Sequence, residues 1–156
     1  MLYDEAHGHP YRIGNSDPLD LSDLAALYRS NGFQVASNVE IFTRETLSPV
    51  DALIISGFFL PLTESELVVV LDFVNAVGGL AIVFHIALPV RDLRHHLKVV
   101  FTSGPLRETN QLINGNSLDF KVANLADHPL TSGMACFSVY GAQALRGTDP
   151  HTRCWL

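Results

Sequence analysis

A chain of 156 residues, 47% hydrophobic and 17% charged, is long enough for one domain with a full core and too apolar to be disordered. Its formal net charge of -6, without any Lys/Arg cluster, argues against a nucleic-acid partner, because nothing is arranged to release phosphate counterions. No apolar run reaches the roughly 18 residues of a spanning helix and no basic n-region opens the chain, so no membrane partner and no signal peptide are expected, and the cytoplasm is the default compartment.

Residues Leu2 to His9 read as the end of a first strand running into a polar loop. The letters Asp4-Glu5-Ala6-His7 spell the helicase DEAH box, whose acidic pair works beside a phosphate-binding loop. The chain has no G-x-x-x-x-G-K-[ST] segment, so the match is taken as chance. Ser16-Asp17-Pro18-Leu19-Asp20 leads into a helix from about Leu21 to Asn31, with Leu21, Leu24, Ala25 and Tyr28 on one face and Gly32 as the stop. Phe33 to Ser37 then reads as a second strand, and Glu45 to Val50 as a short helical or turn segment.

Asp51 to Pro89 is the organising stretch. Ala52 to Ile55 is an apolar run bounded by Asp51 and Gly57, which suits a strand buried on both faces. Thr63 with Glu66 three residues on forms a capping box, since each side chain can satisfy a free backbone N–H of the first helical turn. Leu67, Val70, Leu71 and Val74 give that helix one apolar face, Gly78-Gly79 ends it, and Leu80 to Phe84 is another apolar strand. A β-α-β unit of this kind implies a parallel sheet, whose ligands bind beyond the carboxyl ends of the strands. The loops 57–62 and 85–89 lie there.

The second half changes character. A short helix is expected within 89–97, a short strand over 98–102, and a loop over 103–115. Asn116 to Val122 alternates like a half-exposed strand, Asp127 to Met134 is a turn segment, and Phe137 to Leu145 a final strand. The fold class that follows is α/β, a flavodoxin-like three-layer sandwich with a mostly parallel sheet and an antiparallel C-terminal extension, expected as a single domain over 1–156. Cys136 and Cys154 have no metal or redox spacing. The closing Thr-Arg-Cys-Trp-Leu resembles the start of a strand, which suggests a longer domain cut short or Trp155 buried in a partner.

Several segments together resemble the class I glutamine amidotransferase-like superfamily, in its non-catalytic DUF4350 and trehalose-utilisation-like branch. They are the strand ending in Asp4-Glu5-Ala6-His7, the strand Asp51 to Ile55, Leu62-Thr63 through Leu67, Phe73 through Leu80, and His128-Pro129-Leu130-Thr131-Ser132-Gly133-Met134. The resemblance implies a nucleophilic Cys in a G-x-C-x-G turn after the strand ending at Phe84, and a downstream His-x-Glu pair. This chain has Phe84-His85-Ile86-Ala87 at that turn and no His-x-Glu, so no acyl-enzyme can form and glutamine hydrolysis is not expected.

His85, at the position the superfamily gives its nucleophile, is the candidate catalytic residue. Its plainer reading is a strand-end histidine bonded to a backbone carbonyl. His7, His9 and His85, with Asp4, are candidate ligands for a divalent metal, against the plainer reading of a solvated turn. Asp4, Glu5, His7, His9, Asn15, Phe58, Phe59 and His85 are the candidate ligand-binding set. Asn15, Ser16 and Asp17 precede a helix N-terminus that could receive an anion, although capping by Ser16, Asp17 or Asp20 is the commoner explanation. His128 is expected to hold its own loop, and His95 and His96 to sit on a surface helix without a role. No cofactor is expected. The leading functional expectation is a binding module for a small polar ligand or a protein partner, with Phe58, Phe59 and Trp155 favouring a homo-oligomer. The competing expectation is a hydrolase-like enzyme using His85 with His7, His9 and Asp4.

Overall fold

The computed structural model describes residues 1–8, 10–57, 60–83 and 91–149. The chain divides into two compact units, Met1–Leu93 and Arg94–Leu156.

The first unit alternates β1 (Leu2–Asp4), α1 (Ser22–Ser30), β2 (Ala36–Asn38), α2 (Arg44–Leu47), β3 (Ala52–Ser56), α3 (Glu64–Asn75) and β4 (Gly79–Val83). Its four strands are all parallel, in the order β2-β1-β3-β4. Tyr3 lies opposite Ser37 on one side and Ile54 on the other, and Ile54 in turn lies opposite Ala81. The apolar run of β3 is buried throughout from Leu53 to Ser56, as a central strand covered on both faces must be. Because the chain steps from β1 outward to β2 and then back across to β3, the sheet changes direction between β1 and β3. In sheets of this order ligands are generally bound beyond the carboxyl ends of that pair.

Local chemistry explains the elements and corrects some expectations. Thr63 and Glu66 form the expected capping box of α3, each side chain meeting the other's backbone N–H. On the expected apolar face, Val70 is fully buried while Leu67, Leu71 and Val74 are half-buried. The helix does not stop on its glycine pair. Val77 takes the left-handed turn at φ 66, and Gly79 already belongs to β4. Gly78 leaves room for the ring of Phe73, which a Cβ there would meet. The expected caps of α1 are also displaced. Leu21 occupies the N-cap position without a side-chain bond, and the Asp20 carboxylate instead receives the backbone N–H groups of Arg12 and Asp17.

In the second unit β5 (Val99–Phe101) pairs antiparallel with β9 (Leu145–Gly147), and β6 (Leu112–Ile113), β7 (Asn116–Val122) and β8 (Phe137–Tyr140) form a separate antiparallel sheet. α4 (Arg91–His96) spans the boundary between the units. Two expectations change here. The single strand over 137–145 is two strands in different sheets, divided where Gly141 turns at φ 60. The loop over 103–115 contains β6, joined to β7 through Asn114-Gly115, both at positive φ, the residue pair that tight hairpins favour. The chain is therefore a mixed α/β protein of flavodoxin-like layout, with a parallel sheet followed by antiparallel ones. Among the described residues no helix is long and apolar enough to cross a membrane.

Candidate functional site

The carboxyl end of β1 places Asp4 at that edge of the sheet, and the turn that follows folds His7 back over it. Nδ1 of His7 lies 2.9 Å from both carboxylate oxygens of Asp4. Its other ring nitrogen, Nε2, lies 2.8 Å from Oε1 of Glu66 on α3. All three side chains are buried. A carboxylate only accepts, so an imidazole held by carboxylates at both nitrogens donates from both and is an imidazolium. The ring also packs against Phe42, with centroids 5.0 Å apart.

The surroundings fix the charges. Burial works against the charged ring of His7, but hydrogen bonds and charge from Asp4, and then from Glu66, outweigh it and raise its pKa above the ordinary 6.5. Burial likewise disfavours the Glu66 carboxylate. The N–H and hydroxyl of Thr63, the ring of His7 and the N–H of Phe42 reverse that and bring its pKa down to about 2. Glu66 Oε2 takes the Thr63 hydroxyl at 2.7 Å and the Thr63 N–H at 3.0 Å, and Oε1 takes the Phe42 N–H at 3.0 Å. One glutamate thus caps a helix, holds a loop and fixes a cation.

The remaining expected residues are distributed differently. Glu5 is half-buried, and its Oε1 receives the N–H of Ile13, tying the loop before α1 to the strand end. Asn15 is exposed in that loop. His9, Phe58, Phe59, His85, Cys154 and Trp155 lie outside the described residues. The loop after β3 is tied to the turn after β1 by the N–H of Leu60, which donates to the carbonyl of His7 at 3.2 Å. Both ring nitrogens of His7 are engaged by carboxylates. Among the described residues no group of three or more His, Cys, Asp or Glu side chains is placed to hold a metal ion. His128 holds its turn by accepting the N–H of Leu130, His95 and His96 are exposed on α4, and Cys136 is exposed.

Sequence reasoning grouped Asp4 and His7 with Glu5 and His9 as candidate ligands, and assigned Glu66 only to the helix cap. The available signal was an N3 glutamate with one oxygen left over, on a helix whose N-terminus faces the carboxyl edge of a parallel sheet.

A second concave feature lies at the opposite, amino end of β3. A cleft of about 400 Å³ is walled by Leu47, Val50, Val69, Phe73, Ala76 and Val77. Arg44 on α2 and Asp72 on α3 meet at its rim, 2.6 Å apart. Val77 stands 96% exposed there, in a backbone conformation that β-branched residues avoid.

No family model and no curated protein matches this chain. A solved structure described as "mmIFT52 N-terminal domain" superposes with a TM-score of 0.78 over 96% of this chain and 74% of that one, at 14% sequence identity. These findings overturn the resemblance to the class I glutamine amidotransferase-like superfamily and its DUF4350 and trehalose-utilisation-like branch. The quoted segments are short pieces that any parallel α/β sheet needs: a strand end, a capping box, a glycine turn. At that level of identity the likeness carries the fold alone, so the chain is similar in fold to the N-terminal domain of mmIFT52.

Proposed function

We propose that this chain is a protein-binding module, and that the Asp4–His7–Glu66 cluster is a structural clasp for its binding surface and not a reaction centre. The observation that carries this reading is the double engagement of His7. A general base needs a lone pair and a general acid needs a proton it can give up, yet both ring nitrogens are committed to buried carboxylates. In the hydrolase-like alternative, His7 would need one of them free to serve beside His85.

The cleft between α2 and α3 supplies the binding side of the argument. Its walls are mainly aliphatic and aromatic, and its volume is near the lower end of the roughly 300–1,000 Å³ of small-molecule sites. Arg44, Ser48, Asp51 and Asp72 complete the lining, and an apolar patch beside charged groups suits a side chain of a partner protein.

A peptide library displayed on phage, selected against the intact chain, tests the proposal. Selected peptides should share an apolar anchor and lose binding to a Val77→Glu variant. Peptides indifferent to that change, or hydrolysis of ester or amide substrate panels that disappears in His7→Gln, would overturn it.

A further inference from the structure

We propose that the occupant of the cleft between α2 and α3 is a basic, apolar segment of a partner protein, with one apolar side chain seated in the hollow and an adjacent Lys or Arg paired to Asp51. The choice of partner rests on the protein-binding reading above. Among the apolar partners which that reading allows, the charge of the site selects this one.

Three charged side chains line the cleft: Arg44, Asp51 and Asp72. Arg44 and Asp72 neutralise one another, with Nη2 of the arginine 2.6 Å from Oδ2 of the aspartate. Asp51 is left over. It is exposed, and its carboxylate has no hydrogen-bond or ion-pair partner among the described residues. Its backbone carbonyl takes the N–H of Gly79 at 2.9 Å, which fixes the residue beside the wall made by Val77 and Gly78. The twelve-residue helix α3 ends at that same wall, and its last turn has no basic residue to offset the negative end of the helix dipole. A carboxylate and a helix C-terminus therefore stand together at one edge of an apolar hollow. Both favour a cation.

Charge complementarity decides between the possible occupants. A neutral apolar segment would cover Asp51 without pairing it, and an acidic one would set like charge against it. A basic segment meets both halves of the site. Its apolar side chain takes the hollow between Leu47, Val50, Val69 and Phe73, and Val77, 96% exposed in the free chain, gains an apolar neighbour. Lys and Arg suit the rim because their aliphatic stems lie along apolar surface while the charged head reaches the carboxylate. The net charge of -6 draws such a segment from a distance.

An array of synthetic octapeptides tests this on the full chain, each with Leu, Met, Phe or Val at its centre and Lys, Gln or Glu beside it. Binding is read by fluorescence anisotropy, and circular dichroism confirms that each variant is folded. The tightest peptides should carry Lys, bind at least about fivefold more tightly than their Glu counterparts, and lose that advantage at high salt. Asp51→Asn should shrink the advantage and Asp51→Lys should reverse it, whereas Val77→Gly should weaken Lys and Glu peptides alike. Peptides that weaken in Val77→Gly but bind equally with Lys or Glu, or that keep the Lys preference in Asp51→Lys, would overturn the basic partner and leave the protein-binding cleft standing. No binding by any peptide, or binding indifferent to Val77→Gly, would overturn both.

Discussion

Oε1 of Glu66 lies 2.8 Å from Nε2 of His7, a residue 59 positions earlier in the chain. The same oxygen takes the N–H of Phe42, so three distant segments of the first unit meet at one atom. Truncating His7 to alanine leaves the buried Asp4 and Glu66 without their cation. The expected loss is about 3–5 kcal/mol of unfolding free energy, read by urea denaturation. Glu66→Gln in the same background should cost much less than it does alone, because the cation it served is gone.

The two shifted groups define a pH window. The pKa of His7 is raised, so its contribution is complete below its ordinary 6.5 and fades as pH rises through the higher folded value. That of Glu66 is lowered to about 2, so its contribution is complete above the ordinary 4.5 and fades as pH falls towards about 2. Stability from the clasp should therefore be greatest between about 4.5 and 6.5 and decline on both sides. Thermal midpoints measured across pH should show this plateau, and His7→Gln should remove the decline on the alkaline side.

Val77 separates stability from binding. At φ 66 a β-branched side chain is strained, and glycine relieves the strain, so Val77→Gly should stabilise the fold by about 1 kcal/mol. The same change removes an exposed wall of the cleft. Calorimetry of a selected peptide should show weaker binding by a more stable protein.

Two buried hydroxyls, those of Tyr3 and Ser56, have no hydrogen-bond partner among the described residues. Burial is the main reason that the Tyr3 phenol is pushed up to about 12, with Tyr28 adding to the rise and Arg29 opposing it. Deleting an orphan hydroxyl removes a desolvation cost without breaking a bond. Tyr3→Phe and Ser56→Ala should each be neutral or stabilising, by up to about 1 kcal/mol in denaturant titrations.

How far the sequence reaches can be judged from these same residues. The run Ala52 to Ile55 announced a central strand because no polar residue interrupts it, and Thr63 with Glu66 announced a helix start because the capping box is local. That Asp4 and His7 belong to one cluster at a strand end was also legible. Its meaning was not. A histidine among acids reads as a metal ligand until the partner of its second nitrogen is known, and that partner lies on another element. Val77 defeated the glycine rule for a related reason: Gly78 was taken up by the approach of Phe73, and the left-handed turn fell to its neighbour. The division of 137–145 between two sheets depends on long-range pairing that alternation cannot report.

The N-terminus of α3 points its free N–H groups toward the edge of the sheet where α/β proteins commonly seat phosphate. Here Glu66 has brought an anion of its own, covalently attached and already neutralising the positive end of the helix dipole. A phosphate arriving at that helix end would meet a carboxylate of like charge.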